Sequence, residues 1–500
     1  MRTKHCLYAA IAFGLGFSSA APAVYLNPRG TGQVLVYPYY TANANQATLL
    51  TVVNTTPHGK ALRMAFREGY NGRLVLSFNV YLSAFDVWSA EVAAAGSAPD
   101  ASARIATADN SCTFPVFASA DFRPFAYTGA NGDTGPQTLA RTREGHFDVI
   151  EMGEVTNATH GSLTAITQGD NGVPANCAQV VAAWTPGGYW TVDPTVDLAP
   201  PGGGLYGSES IVDVAQGTIY AINAEAVDGF SAKVQHTSPG DAGPDLNSAN
   251  DAGATSGATA LVPIGGGLVQ ANYTHPVDAI SALFMADVLY NEYDIDPTIG
   301  AASDWVVTFP TKRFYVDPVL NSTQDTTPFD EKFGAFYAGE SCAPFATQVF
   351  NRDELTAGGF LCGTPPAATP FQFCFETSVA PIGTGQSVLG SQLLGDDTVF
   401  GKPAEIGIPI APIAFSSGHV SVSLTEGTDA CFETGPDPLH VLAASTSGQV
   451  FQGMPAIGFL ARNYINANVS PGVLSNYSAA QPHRASASCK TNTMPAADCQ

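Results

Sequence analysis

Leu62-Arg63-Met64-Ala65-Phe66-Arg67-Glu68-Gly69-Tyr70-Asn71-Gly72-Arg73-Leu74-Val75-Leu76-Ser77-Phe78-Asn79-Val80-Tyr81-Leu82 carries apolar residues at alternate positions on both sides of an Asn-Gly pair. Successive side chains of an extended chain point to opposite faces. Leu62, Met64 and Phe66 therefore face one way, and Arg63 and Arg67 the other. Leu74, Leu76, Phe78, Val80 and Leu82 repeat the pattern against Arg73, Ser77 and Asn79. Asn-Gly favours the positive φ angles of hairpin turns. The stretch predicts two half-buried antiparallel strands joined through Asn71-Gly72, with Leu62, Met64, Phe66, Leu74, Leu76, Phe78 and Val80 in a core.

Outward from this hairpin, residues 34–37, 48–53 and 87–92 alternate in the same way, with no helical pattern between them. The expectation is a mainly β chain whose N-terminal module is an antiparallel β-sandwich of the immunoglobulin-like kind. Strand-like runs recur at 147–152, 218–227, 305–309, 313–316, 371–377 and 420–424, punctuated by 50 Gly and 35 Pro. They predict a second β-rich region with one or two short helices. The best helix candidate is 277–290, where Val277, Ile280, Leu283, Phe284 and Val288 follow Pro276 at helical spacing. A shorter one spans 177–184. Between His236 and Thr259 the residues are small and polar without hydrophobic periodicity. We expect a flexible linker or loop at 246–258, separating a sandwich region at 24–245 from a β-rich region at 259–500.

The first 23 residues predict export. Arg2 and Lys4 precede an apolar run at 6–17, and Ala21-Pro22-Ala23 follows. This is the pattern of a secretory signal peptide, with cleavage after Ala23 and a mature chain beginning Val24-Tyr25-Leu26. No later segment has the roughly 18 consecutive apolar residues that a membrane span needs. The expected location is secreted or periplasmic. Without Cys6 the cysteines are Cys112, Cys177, Cys342, Cys362, Cys374, Cys431, Cys489 and Cys499. An even number in an oxidising compartment predicts disulfides. Cys112 pairs with Cys177, the other cysteine of the first half, and Cys489 with its near neighbour Cys499; the middle four stay open. No C-x-x-C spacing points to a zinc ribbon or a redox pair. The formal charge of −23 becomes −25 without Arg2 and Lys4, which disfavours nucleic acid and anionic membranes as partners.

Catalytic motifs are sparse. Gly207-Ser208-Glu209-Ser210 only approximates a nucleophile elbow, and the histidines form neither H-x-H nor H-E-x-x-H. His146 and Asp148 project to one side of a strand with Glu151 and Glu154 just beyond, forming the best acid/base or metal cluster. Asp148, Glu151 and Glu154 are the candidate catalytic carboxylates, because paired carboxylates at a suitable separation hydrolyse glycosides. Asp294-Ile-Asp296 and Asn131-Gly-Asp133 are candidate calcium loops, though no full calcium-loop motif is present. Asn54, Asn157 and Asn272 begin glycosylation sequons.

Asp304-Trp305-Val306-Val307-Thr308-Phe309-Pro310-Thr311-Lys312-Arg313-Phe314-Tyr315 joins aromatic residues to positive charge in a chain with only 20 Lys and Arg. Trp305, Arg313 and Tyr315 are the candidate ligand-binding residues, a platform for a sugar ring or acidic group. The competing reading is structural: Val306, Val307, Phe309, Phe314 and Val316 form two core strands bent at Pro310, with Lys312 and Arg313 paired to carboxylates.

At Gly145-His146-Phe147-Asp148-Val149-Ile150-Glu151-Met152-Gly153, Asn291-Glu292-Tyr293, Asp304 to Tyr315 and Asn351-Arg352-Asp353-Glu354, the chain resembles a family of uncharacterised secreted proteins from Gram-negative bacteria. The resemblance implies export and brings no established activity. It also implies a Cys342–Cys374 bridge, which leaves Cys362 for Cys431. The expected function is a non-catalytic exported β protein with a structural, adhesive or ligand-binding role, its partner a glycan or another cell-surface ligand. The alternative is a secreted hydrolase acting on glycans.

Overall fold

The stretch 62–82 folds as the strands Gly59–Glu68 and Leu74–Leu82, paired antiparallel with Leu62 opposite Val80 and Met64 opposite Phe78. They belong to a computed structural model that describes residues 23–250, 257–336, 338–356, 371–383, 387–393, 415–425, 440–493 and 496–499. The expected leader lies outside the described residues as far as position 22, as do Cys362 and Cys431. The protein is mainly β, built from several antiparallel sheets with a few short helices.

Two sheets form the first half. The larger runs in the order Tyr25–Leu26, Glu225–Asp228, Val34–Thr41, Glu144–Val155, Gly59–Glu68, Leu74–Leu82, Cys112–Phe114. The smaller runs Thr218–Asn223, Leu205–Asp213, Ala47–Asn54, Val87–Ala94, Ala103–Ala106, Ser119–Asp121. A core lies between them, joining Leu35, Tyr37, Leu62, Met64, Phe66 and Phe78 of the first to Leu50, Val52, Trp88 and Val92 of the second. Phe147 stacks between Tyr37 and Phe66 at centroid distances of 4.1 and 4.6 Å. Full burial of each such side chain is worth about 1.5 to 3 kcal/mol, so this core is the main source of the unit's stability.

Two local expectations need correction. The register slips by one residue between Phe66 and Arg67, so Phe66 faces Leu76 and Arg67 faces Leu74. Val75 is consequently buried while Leu74 and Leu76 are half-buried, although alternation had put the two leucines inside. The hairpin is also not half-buried: Arg63 and Arg67 are 2% and 7% exposed, because the rest of the chain covers their face. Arg63 donates to the Asp241 carbonyl at 2.8 Å and to that of Gly243, holding the polar segment after His236 against the sheet. Leu246 and Ala249 of that segment are buried.

The second half has a five-stranded sheet, ordered Phe371–Phe373, Ala343–Asn351, Ser417–Ser423, Val288–Asp294, Arg484–Ser486. A four-stranded one runs Thr377–Pro381, Ala301–Thr308, Ile457–Ser470, Val473–Pro482. A second core joins Val34, Val36 and Ile150 of the large N-terminal sheet to Trp305, Phe309 and Tyr315. The helix expected over 277–290 stops early: Pro276–Phe284 is helical, but Val288–Asp294 is a strand. Eight of the nine helical residues are buried, so no polar stripe marks where the helical period ends. The expected strand at 313–316 is instead the helical turn Arg313–Val316. Pro310, which lacks an N–H for the ladder, follows the strand Ala301–Thr308 and the chain folds back.

Among the described residues three disulfides are present: Cys112–Cys177, Cys342–Cys374 and Cys489–Cys499. The first ties the edge strand Cys112–Phe114 to the expected short helix, Cys177–Ala183. Among the described residues no helix is long and apolar enough to cross a membrane.

Candidate functional site

The strand Glu144–Val155 carries the expected carboxylates, but each is occupied by a cation. Asp148 is buried with Oδ1 3.3 Å from Arg67 Nε. Glu151 is buried against Lys60 at 2.8 Å and accepts from the Gly202 and Gly203 N–H groups at 3.0 and 2.7 Å. Glu154 takes the same Lys60 at 2.9 Å. Asp148 thus belongs to one ion pair, and Glu151 and Glu154 to another.

His146 points into a buried seam between the large N-terminal sheet and the second half. Its Nε2 lies 3.4 Å from Glu376 Oε1, and Arg313 Nη1 lies 3.4 Å from the same oxygen. Burial, with Arg313 and Arg67 adding to it, holds His146 well below the usual imidazole range. Burial pushes Glu376 up to about 7, against the pull of the two arginines. The hairpin turn closes the seam. Glu376 N–H donates to the Tyr70 carbonyl at 3.0 Å, and Asn71 and Arg73 reach Asp317 at 3.1 and 3.0 Å. Glu68 accepts from the N–H groups of Tyr70, Asn71 and Arg73, and Arg141 bridges it to Asp133.

Trp305, Arg313 and Tyr315 do not form a platform. Trp305 is fully buried beside His483, with centroids 4.4 Å apart. Arg313 is 2% exposed and donates to the Pro310 carbonyl at 3.1 Å as well as facing Glu376. The Tyr315 hydroxyl donates to Asp278 at 2.8 Å and meets Ser281 at 2.8 Å. Lys312, expected to pair with a carboxylate, instead donates its ammonium to the carbonyls of Ser341, Phe373 and Phe375 at 2.6, 3.4 and 3.2 Å beside the Cys342–Cys374 bridge. Burial brings its pKa down to about 7. Of the loops considered for calcium, Asp133 is held by Arg141 at 2.6 Å, while Asp294 accepts from the Tyr464 hydroxyl at 3.2 Å. Asp296 caps the turn at Thr298.

An open groove lies elsewhere, at one end of the five-stranded sheet. Glu292 sits opposite His419, and His419 opposite Phe350, so the three form a row across adjacent strands. The His419 ring stacks on Phe350, centroids 4.5 Å apart and planes within 8°. In the next row Gly418 lies between Tyr293 and Asn351; a Cβ there would be 1.8 Å from the Phe350 oxygen, so the strands meet only around glycine. Arg462 arrives from Ile457–Ser470 and places Nη1 3.2 Å from Glu292. Arg352 follows Asn351 in a turn, 73% exposed, its guanidinium 3.7 Å from Asp294. These residues and Glu354 line about 580 Å³. The buried Tyr293 hydroxyl and Arg462 Nε have no hydrogen-bond partner among the described residues.

The groove was missed because its residues come from positions as far apart as 292, 350, 419 and 462. The available signal was the pair of segments Asn291-Glu292-Tyr293 and Asn351-Arg352-Asp353-Glu354, which Ser417–Ser423 brings side by side. Comparison with known proteins finds no match to a family, to a curated protein or to a solved structure.

Proposed function

We propose that this chain is an exported, non-catalytic β protein with a ligand-binding role at the cell surface or in the periplasm. The observation that carries this reading is a division of labour among its charged groups. The carboxylates suited to acid/base work are held in ion pairs, Asp148 and Glu151 buried and Glu154 half-buried, whereas the groove at Phe350, Arg352, His419 and Arg462 holds exposed charge beside stacked rings. The leader-like first 23 residues and the three disulfides support export, as does the resemblance to secreted proteins of Gram-negative bacteria. In this reading the N-terminal pair of sheets is a sandwich of the immunoglobulin-like kind, serving as a scaffold for the groove-bearing half.

The test is a pure, oxidised preparation offered polysaccharide, ester and peptide substrates, alongside binding assays on cell-surface glycans. Saturable binding without turnover is the expected outcome. Turnover at enzymatic rates overturns the reading in favour of a secreted hydrolase. Intact mass of the exported protein checks the leader, with a mature start at Val24 expected.

A further inference from the structure

We propose that the groove binds an acidic glycan, taking the carboxylate of a uronate ring on Arg352 and Arg462 and the ring itself beside Phe350 and His419. The inference rests on the binding reading above and assigns its ligand class. Cations are scarce, 20 against 43 acidic residues, and several of those with defined partners are buried: Lys60, Arg67, Arg141, Lys312 and Arg313. Two guanidinium groups at the rim of one groove, one of them 73% exposed, therefore concentrate scarce cations in one place, where Glu292 and Glu354 balance their charge. Guanidinium is planar and matches a carboxylate with two parallel donors.

The remaining lining selects a sugar over a bare anion. Glu292 is 62% exposed on its side chain and, with Glu354 in the same lining, accepts hydrogen bonds from ring hydroxyls, which a bare anion lacks. The stacked Phe350 and His419 rings give an apolar wall for the C–H groups of a pyranose. Tyr290, Ser421 and Gln348 form the next row on the same sheet face. That row offers an aromatic and hydroxyl surface to a neighbouring ring of a chain. The groove's 580 Å³ falls within the usual range of small-ligand sites.

The experiment titrates the full oxidised protein with oligogalacturonate, its methyl ester, a neutral cello-oligosaccharide, oligoglutamate and inorganic phosphate. Arg352→Ala and Arg462→Lys are run in parallel, and thermal unfolding confirms that each variant folds. Saturable binding of oligogalacturonate is expected, weakened by roughly tenfold or more, about 1.4 kcal/mol, by esterification and by Arg352→Ala. Arg462→Lys, which keeps charge but not the planar fork, should weaken it less. Equal binding of the ester, or an unaffected Arg352→Ala protein, overturns the assignment. So does competition by phosphate or oligoglutamate at equal concentration, which would mark a simple anion site or a peptide site. If the protein binds neutral glycans but not oligogalacturonate, the ligand class is wrong while the binding function stands. If the folded protein binds none of the probes, the groove assignment falls; only turnover of a substrate overturns the non-catalytic reading itself.

Discussion

The seam between the two halves and the groove at the end of the five-stranded sheet use the same residue types to opposite ends. In the seam Arg67, Arg141, Arg313, His146, Asp148 and Glu376 are all buried, and the arginines and carboxylates sit in ion pairs. In the groove Arg352, Glu292 and His419 are exposed, and the nearest carboxylate to Arg352 is 3.7 Å away. A charged residue on a strand says nothing about its role until the covering layer is known. The seam spends its charge on fixing how two β units meet, and the groove leaves its charge available to a ligand.

The comparison breaks most directly at Arg141. It bridges Glu68 at 2.7 Å and Asp133 at 2.6 Å, and is 3% exposed. Removing one member of a buried pair leaves an uncompensated charge and typically costs about 3 to 5 kcal/mol. Arg141→Ala strands two carboxylates at once, and Glu68 also shapes the turn that docks on Asp317 and Glu376 through its neighbours. We expect a loss at or above that range in chemical denaturation. A loss under 1 kcal/mol would show that water enters the seam and that its charges behave like those of the groove.

The hairpin shows how far sequence reading reached. Alternation and Asn-Gly located both strands because the inner face, Leu62, Met64, Phe66, Phe78 and Val80, obeys a strict period of two. It could not see the slip after Phe66, since Leu74-Val75-Leu76 is apolar throughout and accepts either register. The outer face was read as solvated because Arg63 and Arg67 looked exposed, and nothing local announces partners 178 and 81 residues away. The same limit hid the groove and misplaced Trp305, Arg313 and Tyr315 as a platform. Disulfides fared better: Cys112–Cys177 and Cys489–Cys499 followed from count and proximity, and Cys342–Cys374 from the family resemblance.

Register itself is testable on the same strand. Phe78 is 1% exposed, Leu76 is half-buried, and Ser77 faces the other way. Phe78→Ala should cost about 3 to 5 kcal/mol, Leu76→Ala clearly less, and Ser77→Ala least. Thermal unfolding of the three variants ranks them. If Leu76→Ala equals Phe78→Ala, Leu76 is as deeply buried as strict alternation predicted.

A smaller effect comes from pH. His236 is 2% exposed, with Nδ1 at the Pro194 carbonyl and Nε2 at the Tyr81 hydroxyl, 2.8 and 2.9 Å away. Burial brings its pKa down to about 4. Below its ordinary value near 6.5 the unfolded chain takes up a proton that the folded one refuses. The stability this neutral histidine supports is therefore complete above pH 6.5 and is lost as pH falls towards 4, at up to about 1.4 kcal/mol per pH unit. Asp304, pushed up to about 6 by burial, acts with the opposite sign, because its folded form keeps a proton that the unfolded chain releases. His236→Gln isolates the first contribution: the variant's stability should fall less steeply than wild type between pH 6.5 and 4. Identical slopes would mean that the histidine protonates within the fold.

The smallest stability effect belongs to the groove, and it decides what the comparison means. Arg352 has its side chain 73% exposed, and Asp294 keeps the Tyr464 hydroxyl as a partner when the arginine is gone. Exposed substitutions away from packed or strained positions usually stay within about 0.5 kcal/mol. Arg352→Ala should therefore melt with the wild type while losing glycan binding, the mirror image of Arg141→Ala. A melting loss comparable to that of Arg141→Ala would place Arg352 among the structural arginines. Unchanged melting with lost binding assigns to it the role that sequence alone had offered to Arg313, and puts the working end of the molecule at the sheet terminus.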